Sequence, residues 1–445
     1  MKITGTKNNY NQNRVEIKKE RQSSQHDTVT TGSENTHISE GVHKKWLFMN
    51  YIGGDCNLSD MMLYNIDNQE LTGSDKNTHI IAMIDVGHEE NALDGSWSGA
   101  RTFYITKDDT SEQINSPVIE DHGVNVDMSS PATLSEFIVN TIKKFPSDYV
   151  ALILNDHGGG FTGAMADNSD GDFMSVPQIK QALSDAEKIT GKKIDIVGLD
   201  ACLMAQTEVA YELKDNTSIL LASEENEGGG GWTYNEILNK SIPEAINKLQ
   251  TVLTKRINVS PVDFAKIVVR GNELHHSVTP TFSAIDLTKM DTLGHAVNEF
   301  AEAIILSGEK EAIRTAITKS EHYGGFDEPY TDFRDLYHIA DLISNSVQDK
   351  KFKETAEGVK KALKDSVIAN ETAKYRYPNA NGLSIYAPTN AVLGPEYNYN
   401  ELNFAKNTQW DEAIKSIGKT GKHAIRTAPR ISSLWPDGSV KPQKK

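Results

Sequence analysis

Residues 150–160 read VALILNDHGGG, and residues 194–204 read IDIVGLDACLM. Each segment is a run of apolar residues, short enough for a buried strand, that ends in one reactive residue beside small ones. The reactive residues are His157 and Cys202, which lie forty-five positions apart. Because the loops that leave the carboxyl ends of parallel strands build the sites of open α/β sheets, the two residues are expected to face one crevice.

A histidine and a cysteine at neighbouring strand ends are the minimum for nucleophilic catalysis by a thiolate. A free thiol has a pKa of about 8.5, so His157 is predicted to take the proton of Cys202 and later to protonate the leaving amine. The backbone N–H groups of Gly158 and Cys202 are predicted to form the oxyanion hole, since glycine lets a carbonyl approach closely. Cys202 alone would indicate only a buried core residue, but the two motifs together favour a cysteine peptidase.

The composition is typical of a globular protein and excludes several other classes. The chain has 445 residues, of which 38% are hydrophobic and 24% charged. Its apolar runs fall short of the roughly 18 residues that a membrane span needs. A formal charge of −16 disfavours binding to nucleic acids. With Cys56 and Cys202 as the two cysteines, neither a disulfide framework nor a zinc site built mainly on cysteine is expected.

Four regions are predicted along the chain. Residues 1–43 are rich in Asn, Gln, Ser, Thr and Lys and are predicted to be a disordered leader that lacks the apolar segment of a secretory signal. A catalytic domain is predicted over 44–234, and a helix-rich subdomain that completes the peptidase over 235–418. Residues 419–445 are basic and rich in Pro and Ser, which is typical of a loose tail.

Strands and helices alternate in the first half of the chain, which predicts a mostly parallel sheet covered on both faces. Besides the strands that precede His157 and Cys202, this half is predicted to form strands at 46–52, 79–85, 101–106 and 218–223 and helices at 59–69, 131–144, 176–190 and 203–213. The second half is predicted to form helices at 242–258, 288–306, 309–319, 332–346 and 351–369, with strand-like pieces at 266–270, 280–286 and 382–387.

Several motifs resemble those of the clostripain family of cysteine peptidases. The shared features are an aromatic-led first strand at 46–57, DHG at 156–158, DACLMA at 200–205, SEE at 223–225, GW at 231–232, FSAIDL at 282–287, YTD at 330–332 and NGLSIY at 381–386. The resemblance covers about residues 45–417. It implies an α/β protein with a caspase-like α/β/α sandwich, a mostly parallel central sheet and a helix-rich C-terminal subdomain.

The resemblance also implies roles for individual residues. His157 and Cys202 would be the catalytic dyad of an endopeptidase that forms an acyl-enzyme. Asp200 would line the S1 pocket and select Arg, then Lys, at P1, because a buried carboxylate complements a long cationic side chain; the alternative is a cap at the strand end. Glu224 and Glu225 are predicted either to support the S1 or S2 subsite or to be an ordinary solvated strand end.

The sequence departs from the family pattern at points that bear on specificity and activation. Relatives often have another acidic residue in the Gly-rich stretch before the tryptophan, where this chain has glycine at 228–231, and this absence weakens the expectation of strict Arg/Lys preference. Several relatives cleave themselves after the catalytic histidine, but residues 161–178 contain no Lys or Arg. The chain is therefore predicted to be active without that cut. Cys56 stands where relatives often have Asn and is interpreted as a packing residue.

No cofactor is expected to be required. A Ca²⁺ site is predicted at Asp167, Asp170 and Asp172, since clustered oxygens bind calcium and some relatives use it; a solvated turn is the alternative. The expected partners are protein or peptide substrates with a basic P1 residue, without nucleic acid or a membrane span, and the chain is expected to be a monomer. The leader favours a secreted effector that bypasses the general secretory route, with a cytoplasmic peptidase as the alternative. The competing function is a catalytically inactive caspase-like protein that binds basic peptides.

Overall fold

The computed structural model describes most of the chain between residues 38 and 426. The described ranges are 38–87, 97–110, 112–124, 126–169, 172–232, 259–271, 279–324, 332–389, 392–393, 399–418 and 425–426. The predicted helix at 242–258, Asp170, and most of the predicted leader and tail lie outside these ranges. The predicted boundary between 234 and 235 stays a prediction.

Nine of the described strands form one sheet. They are β1 (Lys44–Gly54), β2 (Thr78–Val86), β3 (Gly99–Tyr104), β4 (Val118–Gly123), β5 (Ser147–Asn155), β8 (Ile194–Asp200), β9 (Thr217–Ala222), β10 (Thr281–Asp286) and β13 (Val367–Thr372). Their order is β13-β10-β9-β8-β5-β1-β2-β3-β4. The five strands from β9 to β2 are parallel, and antiparallel strands extend the sheet at both edges. This arrangement confirms the predicted mostly parallel sheet.

The other strands described form small sheets of two or three strands outside this sheet. They are β6 (Ala164–Asp167), β7 (Asp172–Met174), β11 (His322–Tyr323), β12 (Phe333–Asp335), β14 (Ser384–Tyr386), β15 (Val392–Leu393) and β16 (Ile425–Arg426). The helices are α1 (Ser59–Glu70), α2 (Pro131–Lys144), α3 (Val176–Thr190), α4 (Thr207–Leu213), α5 (Pro261–Gly271), α6 (Met290–Leu306), α7 (Lys310–Lys319), α8 (Leu336–Ser346), α9 (Lys350–Ser366), α10 (Asn403–Asn407) and α11 (Trp410–Ile417). Among the helices described, none is long and apolar enough to cross a membrane.

The central strand β1 shows how the sheet separates two apolar layers. Successive side chains of a strand point to opposite faces. Leu47, Met49 and Tyr51 join the large cluster that includes residues of α2, α3 and the C-terminal helices. Trp46 packs with α5 on the other face, and Ile52 packs there with α1. Helices therefore cover both faces, which confirms the predicted α/β/α sandwich.

Two predicted elements of the second half differ from the structure. The strand-like piece at 266–270 belongs to α5, because its buried residues share one helical face; these are Phe264, Ala265, Val268 and Val269. Its N-terminus is capped by Ser260, whose Oγ accepts the N–H of Asp263 at 3.2 Å. The predicted helix at 351–369 ends at Ser366, and the next six residues pair with β10 as β13.

Two predicted helices begin later than expected, each for a local reason. The helix predicted at 203–213 begins at Thr207, because Leu203 has φ 67°, a left-handed conformation that a helix cannot include. The helix predicted at 332–346 begins at Leu336, since Phe333–Asp335 forms β12 and Asp335 then caps the helix by accepting the N–H of His338. The strands β4, β6 and β7 were not predicted.

Candidate active site

The register of the sheet brings the His157 and Cys202 loops together. Asn155 at the end of β5 is paired with Asp200 at the end of β8. His157 lies two positions after Asn155, and Cys202 lies two positions after Asp200. The side-chain amide of Asn155 donates to Asp200 Oδ2 at 2.9 Å. A Cβ added to Gly158 would lie 2.5 Å from the carbonyl oxygen of Cys202 and 3.0 Å from its nitrogen. The two loops are thus in contact at the carboxyl edge of the sheet, and only glycine fits between them.

His157 is 8% exposed and is oriented by a residue that the sequence analysis did not identify. Its Nε2 atom lies 2.7 Å from Oδ1 of Asn57, in the loop that follows β1. Because an amide oxygen only accepts hydrogen bonds, Nε2 carries the proton and the neutral ring has its lone pair on Nδ1. The backbone is held by Asp156, whose Oδ1 accepts the N–H of His157 at 2.6 Å and whose Oδ2 accepts that of Ala166 at 2.7 Å.

The thiol of Cys202 contacts the segment that follows β9, at the backbone of Glu227. The N–H of Glu227 donates to Sγ at 3.4 Å, and Sγ donates to the carbonyl oxygen of Glu227 at 3.7 Å. Burial raises the pKa of Cys202 to about 12, and the nearby acidic groups of Glu227, Glu225 and Asp200 act in the same direction. At rest the group is therefore a neutral thiol.

Asp200 and Glu227 hold Trp232 between them. Both carboxylate oxygens of Asp200 accept the backbone N–H of Trp232, at 3.0 and 2.9 Å. The Glu227 carboxyl accepts the indole Nε1–H of the same residue at 3.0 and 3.1 Å. Burial, followed by the neighbouring charge of Asp200, raises the pKa of Glu227 well above its usual value. A second acidic residue, Glu227, thus lies beside Asp200, one position before the glycines at 228–231.

Glu224 and Glu225 are buried, with 1% and 3% exposure, which excludes an ordinary solvated strand end. Glu224 accepts the backbone N–H of Gly382 at 3.0 Å through Oε2. Glu225 accepts the N–H of Gly324 at 2.9 Å and that of Asn226 at 2.7 Å through Oε1. The two carboxyl groups therefore fix the segments that precede β14 and follow β11 against the end of β9.

Asp167, one of the predicted calcium ligands, is 2% exposed and lies in a group of three acidic residues. One carboxylate oxygen each of Asp55, Asp85 and Asp167 lies within 4.8 Å of the others. Asp55 follows β1 and Asp85 lies near the end of β2, so the sheet brings them to the same edge. Asp170 and the side chain of Asp172 lie outside the described residues.

Comparison with known proteins identifies the family. The model of the clostripain family matches residues 50–417. The chain belongs to the clostripain family. This result confirms the resemblance drawn from the motifs, and it makes the chain a cysteine peptidase, a hydrolase of peptide bonds.

Individual relatives agree with this assignment. Clostripain from Hathewaya histolytica is 22% identical over 406 residues, which cover 79% of this chain and 76% of clostripain. An inactive protease zymogen from Parabacteroides distasonis has a TM-score of 0.59 at 20% identity, covering 82% of this chain and 97% of the zymogen. A secreted cysteine protease from Bacteroides thetaiotaomicron, solved with an irreversible peptide inhibitor, has a TM-score of 0.56 at 17% identity, covering 83% and 99%. These two structures share the fold of the clostripain-family chain.

Asn57→Ala is expected to lower kcat/KM of this clostripain-family peptidase by about 10-fold to 100-fold, since a hydrogen bond to a group that becomes charged contributes about 1.5–3 kcal/mol. Asn57→Asp keeps the acceptor and is expected to retain more activity. It should also move the acidic limb of the pH–kcat/KM profile to higher pH, because a carboxylate favours the imidazolium form. Steady-state kinetics over a pH series measures both effects. A purely structural role would lower activity in both variants without moving that limb.

The stability of the peptidase is expected to fall as pH rises from about 4 to about 7 and to level off above that. Burial raises the pKa of Glu208 and of Asp335 to about 7, although hydrogen bonds from Tyr386 N and Tyr399 Oη to Glu208 oppose the shift. Between the unfolded and the folded pKa, the folded state holds protons that the unfolded chain has already released. The contribution of these two groups to the free energy of unfolding is therefore fully present at low pH and is lost as pH rises to the folded pKa. Chemical denaturation at several pH values measures the slope, at most about 1.4 kcal/mol per pH unit for each group. Glu208→Gln should reduce the slope.

Proposed function

We propose that the chain is an endopeptidase that cleaves proteins after Arg, and less well after Lys, through an acyl-enzyme on Cys202. The observation that carries this proposal is the position of Glu227. Its backbone contacts the Cys202 thiol, and its carboxyl group lies beside Asp200. Nucleophile and paired acids are therefore next to each other, as cleavage beside a bound cationic side chain requires.

In the proposed mechanism, His157 removes the thiol proton through Nδ1 while Asn57 holds the ring at Nε2. The sulfur of Cys202 adds to the scissile carbonyl carbon, and the backbone N–H groups of Gly158 and Cys202 stabilise the oxyanion. Collapse of the tetrahedral intermediate breaks the C–N bond, and the imidazolium gives its proton to the leaving amine. His157 then activates a water molecule that hydrolyses the thioester and restores the thiol.

The paired carboxyl groups account for the proposed specificity. Burial, and then the neighbouring charge of Asp200, raise the pKa of Glu227 and so disfavour its ionised form in the absence of a cation. A guanidinium that enters the pocket favours ionisation of Glu227, so the pocket then presents two negative charges to a bidentate cation. Lys fits less well, since its ammonium is a single point charge. We further propose that Glu224 and Glu225 support this pocket from behind, by fixing the segments at Gly382 and Gly324.

The test is cleavage of a fluorogenic peptide library varied at P1, with wild type and Cys202→Ala in parallel. The proposal expects turnover confined to Arg and Lys, with Arg preferred, and its loss in the variant. Turnover at uncharged P1 residues would retain a peptidase and reject the role of the paired acids. Peptide binding without turnover in a correctly folded wild type would instead favour the inactive binding protein.

Activity is expected without cleavage in the loop after His157. The loop lacks Lys and Arg over 161–178 and forms the β6–β7 hairpin, which is anchored by the N–H of Ala166 on Asp156. Intact-mass measurement of purified wild type should give no product cut within 161–178, at full activity towards P1-Arg peptides. A wild-type chain split in this loop, with Cys202→Ala uncut, would contradict the prediction.

Calcium is proposed to bind at Asp55, Asp85 and Asp167, in place of the set Asp167, Asp170 and Asp172. Ca²⁺ takes oxygen ligands at about 2.3–2.6 Å, so oxygens on one ion lie up to about 5 Å apart, which fits the 4.8 Å of this group. The ion would stabilise the fold, with no part in the chemistry. Saturating Ca²⁺ should raise the Tm of wild type and of Asp170→Asn but not of Asp85→Asn. The reverse ranking of the two variants would favour the Asp167–Asp172 set.

We also propose that the chain acts outside its producing cell, as a monomeric effector, on protein substrates. The polar composition of residues 1–43 supports this, as does the secreted relative in the clostripain family. Immunodetection in culture medium, with a cytoplasmic marker to exclude lysis, tests the location. Detection in the cytoplasm alone would favour the cytoplasmic alternative, and light scattering of the purified protein tests the monomer.

A further inference from the structure

A second thiol lies beside the proposed catalytic base. Cys56 Sγ, one carboxylate oxygen of Asp156 and one ring nitrogen of His157 all lie within 4.8 Å of one another. Cys56 is a free cysteine and is only partly buried, in the same loop as the exposed Asn57. The proposed mechanism uses neither the sulfur of Cys56 nor the carboxylate of Asp156 as a reacting group.

These three groups are already oriented. Cys56 Sγ donates to the carbonyl oxygen of Gly53 at 3.3 Å and accepts the N–H of Leu58 at 3.4 Å. Both oxygens of Asp156 accept backbone N–H groups and retain further lone pairs. The N–H of Leu58 would still stabilise the sulfur after its proton had left.

We propose that Cys56, Asp156 and His157 bind Zn²⁺ or a similar thiophilic divalent cation, and that the bound metal switches the peptidase off. Zinc binds sulfur at about 2.3 Å and nitrogen or oxygen at about 2.0–2.2 Å, so its tetrahedral ligands lie about 3.5 Å apart. The three atoms are at most 4.8 Å apart, so displacements of about 1 Å would bring them to that spacing. A thiolate and a carboxylate also balance the charge of the ion.

The mixed ligand set distinguishes this site from the acidic group at Asp55, Asp85 and Asp167. Thiolate and imidazole are soft or intermediate ligands that favour zinc, whereas three carboxylates favour calcium. The fourth position on zinc would be open to water, because the loop reaches the surface at Asn57.

Metal binding is inhibitory whichever ring nitrogen of His157 it uses. A neutral imidazole has one lone pair and one N–H. The metal takes the lone pair and the proton stays on the other nitrogen, so no nitrogen remains to accept the proton of Cys202. Binding at Nε2 would also break the hydrogen bond with Asn57.

The first experiment detects the site without activity. Co²⁺ is added to Cys202→Ala in buffer free of thiol reductants, and the near-ultraviolet thiolate-to-cobalt charge-transfer band is recorded. The band is expected in Cys202→Ala, in which Cys56 is the remaining thiol, and should be absent from Cys56→Ser/Cys202→Ala. Serine keeps the hydrogen bonds of Cys56 and removes only the sulfur. Absence of the band from the single variant, or its persistence in the double variant, would overturn the proposal.

The second experiment measures inhibition, and it rests on the proposed role of His157 in catalysis. Wild type and Cys56→Ser are titrated with Zn²⁺, each relative to its own uninhibited rate, and a chelator is then added. Loss of one ligand should raise the Zn²⁺ concentration for half-inhibition at least about 10-fold. An unchanged concentration would assign the inhibition to zinc on Cys202 and overturn the switch. A positive cobalt result with no peptidase activity would instead reject the proposed catalytic function and leave the metal site standing.

Discussion

His157→Ala is expected to lower kcat/KM for a P1-Arg peptide by about 10³-fold to 10⁴-fold. The thiol of Cys202, with a pKa of about 12, carries almost no thiolate at neutral pH, so catalysis depends on a base that removes its proton. In the variant, residual activity should rise about tenfold per pH unit, since hydroxide alone then generates the thiolate. Wild type should instead reach a plateau, and pH-dependent kinetics on both proteins measures the difference.

Two controls separate chemistry from folding. Circular dichroism should be the same for wild type, His157→Ala and Cys202→Ala. Residues that act as a unit are not additive, so the double variant should be no slower than Cys202→Ala alone. A double variant that loses the product of the two effects would show that His157 acts independently of the thiol. Resting wild type should also react slowly with iodoacetamide, because Cys202 is a neutral thiol whose Sγ donates to the carbonyl oxygen of Glu227.

The contact between the His157 and Cys202 loops could be predicted because its information is local. An apolar run followed by His157, and another followed by Cys202, each indicate a strand and its carboxyl end. His157 and Cys202 each lie two positions after a residue of the pair Asn155 and Asp200, so their loops lie together. This pairing follows once the two strands are parallel neighbours. The same reasoning could have reached Asn57, since it follows β1, which pairs with β5.

Other features could not be predicted, because they depend on contacts between distant segments. Residues 228–231 contain no acid to lie beside Asp200. The acid in that position is Glu227, whose carboxyl group accepts the indole N–H of Trp232. The residues at 266–270 have the β-branched composition of a strand. They are helical because one face of α5 is buried against the rest of the protein. Asp167 joins Asp55 and Asp85 through the order of the strands, which no short motif encodes.

Asp200→Asn is expected to lower kcat/KM for P1-Arg peptides by about 10²-fold to 10³-fold, because removing one partner of a buried, hydrogen-bonded charge pair costs about 2–5 kcal/mol. The loss for a P1 residue without charge should be much smaller. Asparagine keeps an oxygen that can accept the N–H of Trp232, so the loop is expected to stay in place. The ratio of kcat/KM for P1-Arg to that for P1-Gln isolates the charge from general damage to the site.

Glu227→Gln should give a smaller loss and a distinct pH signature. The ionised form of Glu227 binds a cation better, and its pKa is raised, so the KM of wild type for P1-Arg should fall as pH increases. The variant cannot ionise and should show a flatter KM over the same pH series. Glu225→Gln is the matched comparison, since Glu225 is a buried carboxyl group of the same segment that instead binds the backbone at Gly324. Its loss should be the same for Arg and Gln at P1, and an Arg-specific loss in Glu225→Gln but not in Glu227→Gln would move the S1 acid from 227 to 225.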